Sequence, residues 1–125
     1  KKAKFFFFFH CGNFVEMIFN SGASMVCCGD PMTELVPNTV EAAHEKHLPV
    51  LSVSGDVVTV QIGSVPHPML EEHFIEWICL ETKNGIQRRM LKPGDKPEAV
   101  FTLHDDEVVA AYAFCNLHGL WETIV

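Results

Sequence analysis

The stretch that decides the fold lies late in the chain and reads EVVAAYAFCNLHGLW (residues 107–121). Its first half consists mostly of valine, alanine and aromatic residues and contains neither proline nor glycine, which is typical of a buried strand. The strand ends at Cys115, and a short loop bounded by Gly119 follows it. The stretch therefore predicts a core strand that presents Cys115 and His118 at its end.

Working outward from this stretch, most of the remaining sequence also has the two-residue period of strands. DVVTVQIG, FIEWICLE, IQRRML and AVFTL are rich in β-branched and aromatic residues. Turn signals separate them, at Ser54-Gly55-Asp56, Asn84-Gly85, Pro93-Gly94-Asp95 and His104-Asp105-Asp106. Short strands at this spacing predict an all-β sandwich or a partly closed barrel. One short helix of about two turns is predicted, in NTVEAAHEKH (residues 38–47), with Asn38 as its N-cap.

Composition and charge narrow the function. The chain has 125 residues, of which 48% are hydrophobic, so it can bury a substantial core. Its net charge of -7 argues against nucleic acid or an anionic membrane as a partner. No apolar run has the roughly 18 residues that a membrane span needs. Five cysteines, an odd count, together with an apolar run (Phe5 to Phe9) too short for a secretion signal, predict reduced thiols and a cytoplasmic location.

The first 36 residues differ in texture from the rest, since they carry glycines, three cysteines and a run of five phenylalanines. We therefore predict two parts, a small amino-terminal module at residues 1–36 and a larger β domain at residues 37–125. A unit of about 35 residues usually needs a metal, a disulfide or a partner to remain folded.

Candidate metal ligands are concentrated in four short motifs: EKHLPV, VPHPM, EEHFIEW and FCNLHGLW. Each lies at a predicted strand end or in a loop beside proline or glycine, where a β scaffold can bring side chains together. Cys115 and His118 are the most informative pair, because two unlike metal-binding groups across a tight loop can chelate one ion. A histidine between prolines, such as His67, is by itself more often a turn residue. The spacing alone does not identify the metal.

These motifs, together with GSVPHPM and LKPGDKPEA, resemble the superoxide reductase family, which includes desulfoferrodoxin and neelaredoxin. The resemblance runs from about Cys11 to Trp121. It implies an immunoglobulin-like β-sandwich of seven strands, preceded in longer members by a desulforedoxin-like module. It also implies one mononuclear non-haem iron per chain, bound by four histidines and an axial cysteine. The matching positions here are His47, His67, His73, His118 and Cys115.

The resemblance implies a function as well, the one-electron reduction of superoxide to hydrogen peroxide without release of dioxygen. Five protein ligands exceed the four that structural zinc takes, and imidazoles with one thiolate suit iron. In the family, the lysine at the position of Lys46 attracts superoxide, and the glutamate at the position of Glu45 can bind the ferric ion. A rubredoxin-like electron donor and a homodimer are further expectations from the family. An iron electron-transfer protein and a superoxide dismutase stay as alternatives.

The amino-terminal module is expected to be a vestigial form of the family's second iron site. That site takes Cys-x-x-Cys followed later by adjacent cysteines, and Cys11, Cys27 and Cys28 keep three of its four positions. Phe8 occupies the remaining position, that of the first cysteine, and a phenyl ring cannot bind iron. We therefore predict an empty or weak second site, compensated by burial of the phenylalanine run as a strand that is apolar on both faces.

Overall fold

The computed structural model describes residues 3–125, which are built almost entirely from β-strands. Within this range there are twelve strands and one short helix: β1 (Lys4–Phe7), β2 (Phe14–Met17), β3 (Val26–Cys27), β4 (Asp30–Pro31), β5 (Thr33–Glu34), α1 (His44–His47), β6 (Pro49–Ser54), β7 (Val57–Ile62), β8 (Ile75–Thr82), β9 (Ile86–Met90), β10 (Glu98–Thr102), β11 (Val108–Cys115) and β12 (Gly119–Ile124). No helix among the described residues has the length and apolar character needed to cross a bilayer.

The chain divides into two compact units, the first ending at Val36 and the second beginning at Pro37. The second unit contains strands β6 to β12, seven strands in two antiparallel sheets. One sheet has the order β10-β7-β6, and the other has the order β12-β11-β8-β9. This is the immunoglobulin-like sandwich of seven strands that was predicted, and the alternative of a partly closed barrel is wrong.

The core of the sandwich explains why these segments form strands. Alternate residues of β7, namely Val58, Val60 and Ile62, have no exposed surface, whereas their neighbours face outward or are half-buried. β8 and β11 are buried over most of their length, as expected of two central strands that pair with each other. Cys79 is one of these core residues, and it is fully buried. A fully buried aliphatic side chain contributes roughly 1.5–3 kcal/mol, so this core stabilises a rigid scaffold.

Strand register brings the candidate ligands to one end of the sandwich. Pro49 at the start of β6 pairs with Ile62 at the end of β7, so the segments before β6 and after β7 adjoin. In the other sheet, Ile75 at the start of β8 pairs with Cys115 at the end of β11. The loops that carry the histidines therefore all leave the strands at the same end of the sandwich.

The helix is much shorter than predicted. It covers only His44–His47, and Asn38 is not its N-cap, because that residue has a positive φ of 63° and Ala43 precedes the helix. The Asn38 side chain instead pairs with the backbone of Glu122 in β12, accepting from its N–H at 2.8 Å and donating to its carbonyl at 3.0 Å. Asn38 thus supplies the hydrogen bonds that a neighbouring strand would otherwise supply.

The amino-terminal unit has a sheet of order β2-β1-β5 and a separate β3-β4 ribbon. The ribbon turns at Cys28 and Gly29, both of which have positive φ, as a two-residue type I′ turn requires. The phenylalanine run is only partly the strand we predicted, because β1 ends at Phe7. Phe5 and Phe8 are buried, but Phe9 lies in the following turn with 73% of its surface exposed.

Candidate metal centre

Five nitrogen and sulfur donors converge at the end of the sandwich where the loops emerge. His47 is the last residue of α1, His67 follows β7, and His73 precedes β8. Cys115 ends β11, and His118 lies in the turn before β12. Four of the five donors therefore sit at or within two residues of the end of a regular element, which fixes their backbone before any metal binds.

The donor atoms lie within the reach of one ion. The Nε2 atoms of His47 and His67 are 3.2 Å apart, and the Nδ1 of His118 is also 3.2 Å from the Nε2 of His47. The Cys115 sulfur lies 3.4 Å from the Nε2 of His67 and 3.9 Å from the Nδ1 of His118. One donor atom from each of His47, His67, His73 and Cys115 falls within 4.8 Å of the others.

The four imidazole rings are arranged as the corners of a square. Neighbouring ring centroids are 4.6 Å apart for His47 and His67, 4.6 Å for His67 and His73, 5.1 Å for His73 and His118, and 5.0 Å for His118 and His47. The diagonal from His47 to His73 is longer, at 6.4 Å. Neighbouring rings meet at 75° to 85°. Such a ring of four nitrogens suits an equatorial set of ligands.

Backbone carbonyls fix the tautomers of two of the rings. The Nδ1 of His47 is 2.7 Å from the carbonyl oxygen of Ala43, and the Nδ1 of His67 is 2.7 Å from that of Pro68. Because a carbonyl oxygen can only accept, both Nδ1 atoms carry the hydrogen, and both Nε2 lone pairs face the centre. Metal-binding histidines are typically oriented in this way by a second hydrogen bond.

The centre has the electrostatic character of a site that requires a cation. Burial lowers the pKa of His47 and lowers that of His67 to about 4, so neither ring gains a proton at neutral pH. The facing lone pairs of these rings would repel each other without a positive charge between them. The Nε2 of His73 is buried and has no hydrogen-bond partner among the described residues. Metal coordination would satisfy all three atoms.

The fifth donor, Cys115, is fully buried, and burial raises the pKa of its thiol. The backbone N–H groups of Leu117 and His118 donate to its sulfur and oppose that increase. These amides lie in the turn that follows the strand. They favour the thiolate, which is the form of cysteine that binds metals.

Lys46 and Glu45 immediately precede the first histidine and are exposed. The charge of Lys46 contributes to lowering the pKa of His73, after burial and the charge of His118, so this lysine is electrostatically linked to the centre. The backbone carbonyl oxygen of Glu45 accepts two hydrogen bonds, from the N–H of Val65 at 2.9 Å and from the hydroxyl of Ser64 at 3.3 Å. Its carboxylate has no described contact with the centre.

Three supporting residues were not singled out from the sequence. The Asn116 side chain accepts from the N–H of Phe74 at 2.9 Å and donates to the carbonyl of Glu72 at 3.1 Å, so it joins the His73 loop to the Cys115 turn. Trp121 stacks on His47 at 4.8 Å and donates its indole N–H to a backbone carbonyl of the same turn at 3.0 Å. Both lie within or next to the CNLH motif, which was the available signal.

The third supporting residue is Gly63. A Cβ atom there would lie 2.5 Å from the carbonyl oxygen of Glu45 and 2.9 Å from the carbonyl carbon of Lys46. Only glycine therefore permits this approach of the loop after β7 to α1. This packing requirement could not be distinguished in the sequence from an ordinary turn glycine.

In the amino-terminal unit, the three remaining candidate thiols also meet. The sulfurs of Cys11 and Cys27 are 3.4 Å apart, those of Cys27 and Cys28 are 3.9 Å apart, and all three lie within 4.8 Å of one another. Two of these residues are exposed and Cys27 is half-buried. Phe8, at the position where the family's second iron site has its first cysteine, is buried with 8% of its surface exposed.

The sandwich has seven strands, and four imidazoles and one thiol gather at one end of it. This combination defines a protein of the mononuclear non-haem metal class. The family model for desulfoferrodoxin matches residues 39–124. The desulfoferrodoxin of Syntrophotalea carbinolica is 49% identical over 113 residues, covering 90% of this chain and 89% of that protein. The chain belongs to the desulfoferrodoxin family.

Two further relatives extend the comparison. A desulfoferrodoxin homolog of Archaeoglobus fulgidus is 46% identical over 113 residues and is covered to 90%, as is this chain. Among solved structures, the superoxide reductase from Treponema pallidum is similar with a TM-score of 0.82 and 42% identity, covering 98% of this chain and 99% of that one. This similarity therefore includes the amino-terminal residues as well as the sandwich.

Proposed function

We propose that the chain is a superoxide reductase, which reduces superoxide by one electron to hydrogen peroxide and is then re-reduced by an external donor. The observation that carries this proposal is the square of four imidazoles with the Cys115 sulfur against it, in a member of the desulfoferrodoxin family. The related structure from Treponema pallidum is itself a superoxide reductase.

The proposed metal ligands are the five converging donors: His47, His67, His73, His118 and Cys115. Their number exceeds the four ligands of a structural zinc site, and imidazole with thiolate suits iron. When bound there, iron would supply one electron to superoxide, and a thiolate ligand would favour this by donating electron density. The protein holds the donors in place, through the carbonyls of Ala43 and Pro68 and the amides after Cys115.

Lys46 is proposed to attract superoxide. The substrate is an anion, whereas the chain has a net charge of -7, so a local cation is needed to reverse the field near the centre. Lys46 is exposed, and its charge acts on His73. The loop at Gly63 holds the backbone of the neighbouring Glu45, and so limits where Lys46 can move. Glu45 is proposed, on the family resemblance, to approach the ferric ion after product forms.

Three further proposals concern partners and location. A rubredoxin-like protein as electron donor and a homodimer rest on the family resemblance. Reduction of the ferric protein by rubredoxin, and light scattering during size-exclusion chromatography, test them. A cytoplasmic location is supported by five cysteines that are all free thiols, since reducing compartments maintain that state.

Stopped-flow mixing of the ferrous protein with superoxide tests the activity. We expect the iron to be oxidised and one peroxide to form per iron, with no dioxygen from the reduction itself beyond that of spontaneous dismutation. The ferric protein is the control, and before a reductant is added it should form no peroxide beyond that of spontaneous dismutation. Catalytic dioxygen release would instead identify a dismutase, and iron that stays ferrous would indicate an electron-transfer protein.

A further inference from the structure

The three-thiol cluster of Cys11, Cys27 and Cys28 takes no part in the proposed reaction. Its closest sulfurs, those of Cys11 and Cys27, are 3.4 Å apart. A disulfide bond is about 2.05 Å long, so small side-chain rotations can join these two atoms. Cys27 and Cys28 are neighbours in the chain, and a bridge between them would be strained.

Asn13 contacts both sulfurs of the close pair. Its backbone N–H lowers the pKa of the Cys11 thiol, and its side-chain amide donates to the Cys27 sulfur at 3.4 Å. Cys28 differs, because hydrogen bonds with the other two thiols raise its pKa to about 11. Since the thiolate is the form that attacks an oxidant, Cys11 is the expected nucleophile of the cluster.

The cluster is also accessible to small molecules. Cys11 lies in the turn between β1 and β2 and is exposed, and Cys27 at the end of β3 is half-buried. Peroxide can therefore reach the sulfur, and a reductant can reach the product. Exposed thiols with thiolate character are those most readily oxidised in proteins.

We propose that Cys11 and Cys27 form an oxidative modification site, in which hydrogen peroxide converts the two thiols to a reversible disulfide. The proposal rests on the proposed function for its oxidant, because superoxide reduction releases hydrogen peroxide beside this same chain. A transient disulfide of this kind is compatible with a reducing compartment, where cytosolic disulfides act as redox sensors.

The reaction balances in two steps. The Cys11 thiolate attacks one peroxide oxygen, the O–O bond breaks, and an S–O bond forms, while the departing hydroxide takes a proton and leaves as water. The Cys27 sulfur then attacks the Cys11 sulfur, the S–O bond breaks, and the second oxygen leaves as water with the thiol proton. Two thiols lose two electrons in total, and one peroxide is reduced to two waters.

Reagent hydrogen peroxide tests the site directly on the iron-loaded full chain. After treatment and alkylation of the remaining thiols, peptide mass spectrometry should find a Cys11–Cys27 link that dithiothreitol reverses. Cys28→Ser is the matched control, and it should form the same link. Cys27→Ser should form none and should accumulate sulfenic acid at Cys11, trapped by dimedone. Buried Cys79 serves as an internal control that stays reduced.

Three results would overturn the site. One is a link that involves Cys28. Another is the absence of any linked peptide after peroxide treatment of the chain without substitutions. The third is a metal, found by elemental analysis beyond the iron of the His/Cys centre, that keeps the three thiols from alkylation before peroxide is added.

Superoxide replaces reagent peroxide in a second arm. Ferrous protein given superoxide should form the link, and catalase should prevent it. Cys115→Ser receives only the peroxide of spontaneous dismutation, one for every two superoxide molecules, and should form less of the link. A different outcome is a link that forms with reagent peroxide, while superoxide gives the same yield of it in Cys115→Ser as in the chain without substitutions. That outcome would support the modification site and contradict the proposed function.

Discussion

The chain contains two clusters of metal-binding side chains that differ in how they are held. At the end of the sandwich that carries the metal centre, His47 and His67 each have 3% of their surface exposed, and backbone carbonyls orient both rings. In the amino-terminal unit, two of three thiols are exposed, and apart from the thiols themselves the described side-chain donor to them is Asn13. The first cluster is preorganised for a cation, whereas the second is open to solvent and to small oxidants. Burial and backbone contacts therefore distinguish the preorganised centre from the exposed thiols.

The largest expected effect comes from Cys115→Ser in the buried centre. Loss of the thiolate should abolish the visible sulfur-to-iron charge-transfer band, because a serine oxygen has no comparable donor orbital. The measurement is the absorption spectrum of the ferric protein with its iron content. Cys79→Ser, which changes a buried cysteine away from the centre, should keep the band. A band that survives Cys115→Ser would refute the axial assignment.

The second prediction concerns the open cluster. Purified protein should contain one iron per chain, and Phe8→Cys should add a second iron with a rubredoxin-like absorption, since it restores four thiolates. Elemental analysis and the visible spectrum measure this. Phe7→Cys, one residue away, is the matched control and should leave the iron content unchanged. Two irons in the unmodified chain would contradict the proposed vestigial site.

The sandwich could be predicted from the sequence because its signals are local and repeated. Alternating apolar residues, as in β7, report directly which face is buried, and turn residues separate the strands. The CNLH motif was informative for the same reason, since a strand end and a tight turn place Cys115 and His118 together. The convergence of His67 and His73 on that pair is a matter of strand register, and it was inferred only through the family resemblance.

Features that depend on distant contacts could not be read from the sequence. Asn38 has the appearance of an N-cap, but its partner is the backbone of Glu122, far along the chain. Gly63 is required by the approach of α1, which no local pattern reveals. The phenylalanine run was expected to be one strand, yet the chain turns after Phe7, where the Phe8 carbonyl accepts from the N–H of Gly12 at 2.8 Å. Tertiary contacts decided the first two cases, and a local turn between β1 and β2 decided the third.

The third prediction separates electrostatic attraction from metal binding. Lys46→Ala should slow the second-order reaction with superoxide by about tenfold and weaken its ionic-strength dependence, because the local positive field is lost. Iron content should not change. Lys83→Ala is the matched control, since Lys83 is exposed and pairs with Glu107 at 2.9 Å. Equal rates and equal salt slopes for the two variants would remove Lys46 from the mechanism.

The smallest expected effect is a pH dependence of the metal-free protein. Burial lowers the pKa of His67 from 6.5 to about 4 in the folded chain, whereas the unfolded chain keeps the ordinary value. Between these limits the unfolded state binds the proton more readily, so the free energy of unfolding is greatest above pH 6.5 and falls as the pH drops towards 4. The loss from this residue is at most about 3 kcal/mol.

Urea unfolding of the chelator-treated protein at a series of pH values measures this loss. His67→Gln removes the titrating ring and should flatten the dependence, although His47, whose pKa is also lowered by burial, will keep part of it. His104→Gln, at an exposed position, is the control and should leave the curve unchanged. A curve that is equally steep in His67→Gln would show that burial of the His67 ring does not make the pH-dependent contribution predicted for it.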